Sequence, residues 1–97
     1  MIIVALATEL MDRSRLSAAI PGVQFALDPE ADVVIIDLAR GAGQVAEVRA
    51  TCPGARIVCY GPHVDEDAAA AARAAGADVV LPRSRFFRDP QAAAGRV

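Results

Sequence analysis

The sequence predicts a single α/β domain over residues 1–97, with a doubly wound, mainly parallel sheet of four or five strands and a second helix that is shortened or missing. Two observations carry that expectation. Short, continuous apolar runs recur along the chain, as in strands buried on both faces, and segments of helical composition separate most of them. Turn and capping residues stand at the junctions.

The first run, Ile2 to Leu6, reads as a strand, and Thr8 can cap a helix over Glu9 to Ile20 that Pro21 and Gly22 end. "GVQFAL", residues 22–27, alternates Val23, Phe25 and Leu27 like an edge strand, but only Asp28 to Ala31 separate it from the next run. A parallel crossover takes about a dozen residues or more, so the helix that belongs there is absent. Val33 to Ile36 forms the next strand and stops on Asp37; Gln44 to Thr51 follows as a helix, halted by "CPG". Ile57 to Tyr60 is a further strand. After it, Asp65 can serve as N-cap, Glu66 and Asp67 suit the positive end of the helix dipole, Ala68 to Ala75 propagate the helix, and Gly76 ends it at C′. Val79 to Leu81 closes the sheet, and Phe86 to Ala94 reads as a frayed helix interrupted by Pro90.

Composition narrows the function. Ten basic and twelve acidic side chains leave a net charge of −2, which offers no general attraction to nucleic acid or anionic lipid. All the basic residues are arginines, which excludes Schiff-base or P-loop lysine chemistry from this chain. Cys52 and Cys59 are spaced neither as a redox pair nor as a zinc set and read as reduced thiols. No apolar run approaches the roughly 20 residues that cross a bilayer. "MIIVALATEL" lacks a basic n-region, so it reads as a strand and not as a signal peptide, with the cytoplasm as the expected location.

In a doubly wound sheet the working groups collect at the carboxyl ends of the strands, here Ala7 to Glu9, Asp37 to Gly41, Gly61 to His63 and Pro82 to Arg85. With strand ends so placed, "ADVVIIDL", "HVDEDAAAAARAAGAD" and "GADVVLPRSRF" resemble the third strand, fourth helix and fifth strand of bacterial response-regulator receiver domains. "YGPHVD" with "LPRSRF" is more similar to degenerate, stand-alone receivers of this flavodoxin-like class than to working ones. The resemblance places the phosphoacceptor position at Asp37. It puts Ala7 and Thr8 at the acidic pair, with Glu9 the nearest carboxylate, Gly61 at the hydroxyl position after strand four, and Arg83 at the lysine after strand five. Phosphoryl transfer to a carboxylate relies on positioning and charge neutralisation, usually by a divalent cation. One neighbouring acid substitutes poorly for the usual cluster, and arginine is broader than lysine and bidentate.

The sequence therefore favours a degenerate receiver-like signalling domain that acts by protein interaction, without enzymatic turnover, metal or cofactor. Asp37 is expected to form an ion pair with Arg83. A phosphorylatable receiver using Asp37 and Glu9 is the first alternative. A small-anion or nucleotide-binding module using Gly41, Gly43, Arg83 and Arg85 is the second, and a fragment of a larger dehydrogenase-like protein the third. His63 reads as a solvent-facing loop residue. On the fourth helix, Ala68, Ala71, Ala72 and Ala75 are expected to face the sheet and Ala69, Ala70 and Ala74 the solvent. Ala70 and Ala74, joined by Phe86 and Phe87, would form a patch suited to a homodimer or another protein partner, the partner itself being unknown.

Overall fold

The computed structural model describes residues 1–40, 43–62 and 66–95. Four parallel strands, β1 (Ile3–Leu6), β2 (Val33–Asp37), β3 (Arg56–Gly61) and β4 (Val79–Pro82), lie in the order β1-β2-β3-β4. Ile3 pairs with Val33, Ile36 with Cys59, and Gly61 with Pro82. Because successive side chains point to opposite faces, each central strand feeds two cores. Val34, Ile36, Ile57 and Cys59 pack on one face, under α2 (Gly43–Thr51) and α3 (Glu66–Ala75). Ile35, Val58 and Tyr60 pack on the other, under α1 (Leu10–Ala19), α4 (Arg83–Phe86) and α5 (Pro90–Ala93). Helices thus cover both faces, as the continuous apolar strands require.

Helix ends follow local chemistry, with several departures from expectation. Glu9, not Thr8, is the N-cap of α1, and its side chain makes no capping hydrogen bond. Asp65, proposed as the cap of α3, lies outside the described residues. At the other end of α3, Gly76 takes φ +121°, Ala77 N–H donates to the Ala72 carbonyl at 3.0 Å and Gly76 N–H to that of Arg73 at 3.0 Å. This is a Schellman closure, and a Cβ on Gly76 would come within 2.9 Å of Arg49 Cγ. On α3 it is Ala69 and Ala72 that face the sheet, while Ala68 and Ala71 are exposed; the actual register is rotated from the one expected. The all-alanine stretch gives no contrast between faces, so side-chain pattern alone could not fix it. Pro90 does not interrupt a helix but begins one, with Asp89 Oδ1 accepting from Ala92 N–H at 3.2 Å.

Arg49, near the end of α2, ties the amino edge of the sheet together. Its Nη1 donates to the carbonyls of Ala55 at 2.7 Å and Pro53 at 3.0 Å, and its Nη2 to that of Gly76 at 2.7 Å and to Asp78 Oδ2 at 2.9 Å. The same Asp78 oxygen accepts from Ile57 N–H at 2.8 Å.

The segment 22–32 resolves the missing crossover. Only Gln24 bridges β1, parallel to Val4 and on the side away from β2, with Gln24 N–H donating to Ile3 O at 2.9 Å and Ala5 N–H to Gln24 O at 2.8 Å. A bridge of one residue leaves almost no strand length to travel back along, so no helix is needed for the return. A turn at Asp28 to Ala31 reaches β2, with Glu30 N–H donating to Asp28 Oδ1 at 2.9 Å and Ala31 buried.

Both thiols are buried and free; Cys52 Sγ donates to the Asp28 carbonyl at 3.3 Å. Burial first, and the Asp78 charge second, push the Cys59 thiol up to about 12. Neither cysteine is expected to react with a disulfide reagent at pH 8 until the domain is unfolded in guanidinium, when both should titrate; a thiol that reacts in the native protein would show this core to be open.

Candidate functional site

The strand order reverses at β1, because the chain first steps outward to Gln24 and then crosses to β2. The crevice at the carboxyl ends of β1 and β2 is therefore the topological switch point, where open α/β sheets bind their ligands. A cavity of about 240 Å³ occupies it, lined by Leu6, Thr8, Glu9, Asp37, Ala39 and Gln44. Asp37, half-buried at the end of β2, accepts a hydrogen bond from Ala39 N–H at 2.9 Å through Oδ1, which fixes the turn into a single 3-10 turn at Leu38–Arg40. Glu9 is exposed at the start of α1. The two carboxylates share the cavity.

Arg83 goes elsewhere. Its Nη1 donates to Asp12 Oδ2 at 2.7 Å and its Nη2 to Asp12 Oδ1, a bidentate pair, while Tyr60 Oη donates to Asp12 Oδ2 at 3.0 Å. Asp12 is fully buried, and the Arg83 side chain is 33% exposed. The Arg83 hydrogen bonds, helped by that of Tyr60 and opposed by burial, hold the Asp12 carboxyl below its ordinary value. Burial and the charges of Asp37 and Asp12 push the Tyr60 phenol far up, so it remains a neutral donor. The Tyr60 ring stacks on Phe86 at 4.7 Å and meets Phe87 edge-on at 5.0 Å. The expected Asp37–Arg83 pair is thus replaced by Asp12–Arg83. β3 lies between β2 and β4, which separates their ends by about 10 Å, whereas α1 brings Asp12 over the Tyr60 hydroxyl.

No protein-family model matches the sequence, and no curated protein matches it either. Solved structures do match. A response regulator from Thermotoga maritima superposes with a TM-score of 0.72 over 94% of each chain at 12% identity. The chain has the receiver fold. A response regulator from Burkholderia pseudomallei, solved with a phosphorylated aspartic acid and a calcium ion, matches at a TM-score of 0.73 and 19% identity, over 98% of this chain and 66% of that one. A pilus assembly-related protein from Burkholderia pseudomallei K96243 matches at 0.71 and 15% identity, over 96% and 87%.

Within this receiver fold the expected site separates into parts. Glu9 and Asp37 meet at the switch point. Gly61 is buried at the end of β3 and carries no hydroxyl, and Arg83 is turned toward α1. Among the described residues no three His, Cys, Asp or Glu side chains gather where they could hold a metal ion. Two carboxylates alone do not fit the cation of a phosphorylatable receiver. Of the expected anion-binding set, Gly41 lies outside the described residues, as does His63. Gly43 and Arg85 are exposed and lie outside the concavity of about 480 Å³ that Arg83 lines. The expected dimer patch also divides: Ala70 and Ala74 are exposed on α3, whereas Phe86 is fully buried and Phe87 half-buried in the core of the opposite face.

Sequence reasoning missed Asp12. The signal was present, because Asp12, Leu16 and Ile20 recur at i, i+4 and i+8, placing a carboxylate in the buried stripe of α1. A charge there needs a buried partner.

Proposed function

We propose that this receiver-fold domain is a signalling module that works through protein interaction and does not accept a phosphoryl group. The observation that carries the reading is the redirection of Arg83: at the family's cationic position, both guanidinium nitrogens that could serve an anion at Asp37 are committed to Asp12. With only Glu9 beside Asp37, charge neutralisation for a phosphoryl group is poorly provided. Two exposed apolar side chains support a protein partner. Leu10 is 80% and Met11 67% exposed on the first turn of α1, directly after Glu9, and a partner that covers them removes apolar surface from water. A second copy of the chain is one such partner, another protein the other.

Incubation with Mg²⁺ and acetyl phosphate, followed by intact-mass measurement, is expected to leave the mass unchanged. A phosphoryl adduct that disappears in Asp37→Asn would transfer the assignment to a phosphorylatable receiver.

A further inference from the structure

A second concavity, separate from the Asp37 cavity, opens between α1 and the segment after β4. It measures about 480 Å³ and is lined by Arg15, Arg83, Ser84, Phe87 and Arg88. Three of its five lining residues are arginines and none is acidic, on a protein whose net charge is −2. Arg83 is neutralised by Asp12, but among the described residues neither Arg15 nor Arg88 forms an ion pair. Two guanidinium groups that form no ion pair in one hollow repel each other, and an anion placed between them removes that repulsion. Two of the three arginines are also held in place. The Arg83 guanidinium sits over the Phe87 ring at 4.9 Å from its centroid and that of Arg15 at 5.7 Å, so one aromatic plane orients both.

We propose that this concavity binds a small molecule bearing a pyrophosphate group, of about nucleoside-diphosphate size. Guanidinium forks match phosphate oxygens two at a time, and Arg15 from α1 and Arg88 from beyond α4 offer one fork from each side. The Ser84 hydroxyl adds a neutral donor or acceptor at the same wall. The volume lies within the range of small-ligand pockets, and the hollow is open to solvent, which lets a charged ligand keep part of its hydration. This proposal does not depend on the phosphorylation state of Asp37.

The test is a ¹⁵N-resolved NMR titration of the full chain with inorganic pyrophosphate and, in parallel, with ADP. Saturable shifts at Arg15, Ser84, Phe87 and Arg88, with a dissociation constant of about 1 mM or below, are expected for at least one probe, weakening as salt is added. A tighter ADP arm would show that the nucleoside also contacts the hollow; equal arms would assign binding to the pyrophosphate alone. The Arg15→Gln, Arg88→Gln double variant leaves the Asp12 pair intact and is expected to weaken binding by at least about tenfold with its spectrum otherwise conserved. Shifts absent from these residues, shifts unchanged in a folded double variant, or saturation by an oligoglutamate peptide alone would overturn the proposal.

Discussion

Replacing Arg83 with Met is expected to lower the stability of the domain by about 3–5 kcal/mol, the range for removing one partner of a buried ion pair. Asp12 is fully buried, so the variant leaves a carboxylate whose one side-chain partner among the described residues is the Tyr60 hydroxyl. The opposite truncation, Asp12→Asn, should cost less, because Arg83 is 33% exposed and can turn to water while the amide still accepts from Tyr60. The double variant should be more stable than Arg83→Met alone. pH separates the cases. In the native protein the Asp12 value is depressed, so its contribution is present above the unfolded value of about 3.9 and is lost as pH falls through the lower folded value. In Arg83→Met the sign reverses, since protonation removes the buried charge, and the deficit should shrink as pH falls toward about 4. Urea unfolding at a series of pH values measures both; equal losses for the two single variants would show that Asp12 is not the buried member.

The second large effect is expected at the opposite edge of the sheet. Arg49→Met removes the hydrogen bonds to the carbonyls of Ala55, Pro53 and Gly76 and the pair with Asp78. Hydrogen bonds to charged groups contribute about 1.5–3 kcal/mol each, but Arg49 is partly solvated and water can reach some of the vacated carbonyls, so a total near 3 kcal/mol is expected. For a domain of this size that lowers the melting temperature by roughly 12–24 °C. Lysine should restore little, because a single ammonium cannot span acceptors arranged on both sides of a planar fork. Thermal unfolding of Arg49→Met and Arg49→Lys decides it: a loss below about 1 kcal/mol, or full rescue by lysine, would show that Arg49 does not tie this edge together.

Much of the fold was legible in the sequence because its strands are unbroken apolar runs. Ile35, Val58 and their neighbours could only lie in a parallel sheet covered on both faces, and the four strands fall where the runs do. The bounds of α2 differ by one residue from expectation, since "CPG" stops it by proline and glycine chemistry alone. The site was half legible. Strand ends locate Glu9 and Asp37 without reference to side-chain contacts, whereas the partner of Arg83 depends on how α1 is laid across β3, which no local pattern encodes. Phe86 was misread for a related reason. Two adjacent aromatics on a short helix must point differently, and Tyr60 on β3, distant in sequence, selects Phe86 to be buried.

The bridge at Gln24 gives the sheet two unequal margins. β2 and β3 are hydrogen-bonded along both sides, but outside β1 the ladder consists of the two bonds made by Gln24, and the chain then leaves. Amide protons of β1 that point outward beyond that bridge exchange after a local fraying that breaks only a handful of contacts, while those of β3 wait for the whole domain to open. The molecule therefore loosens from its margins inward, at β4, which among the described residues no strand flanks on its outer side, and at the β1 rim. That rim is also a short run of free backbone donors and acceptors, the feature through which a strand from another chain can be adopted, and Gln24, by occupying its middle, keeps the open stretch too short to template one.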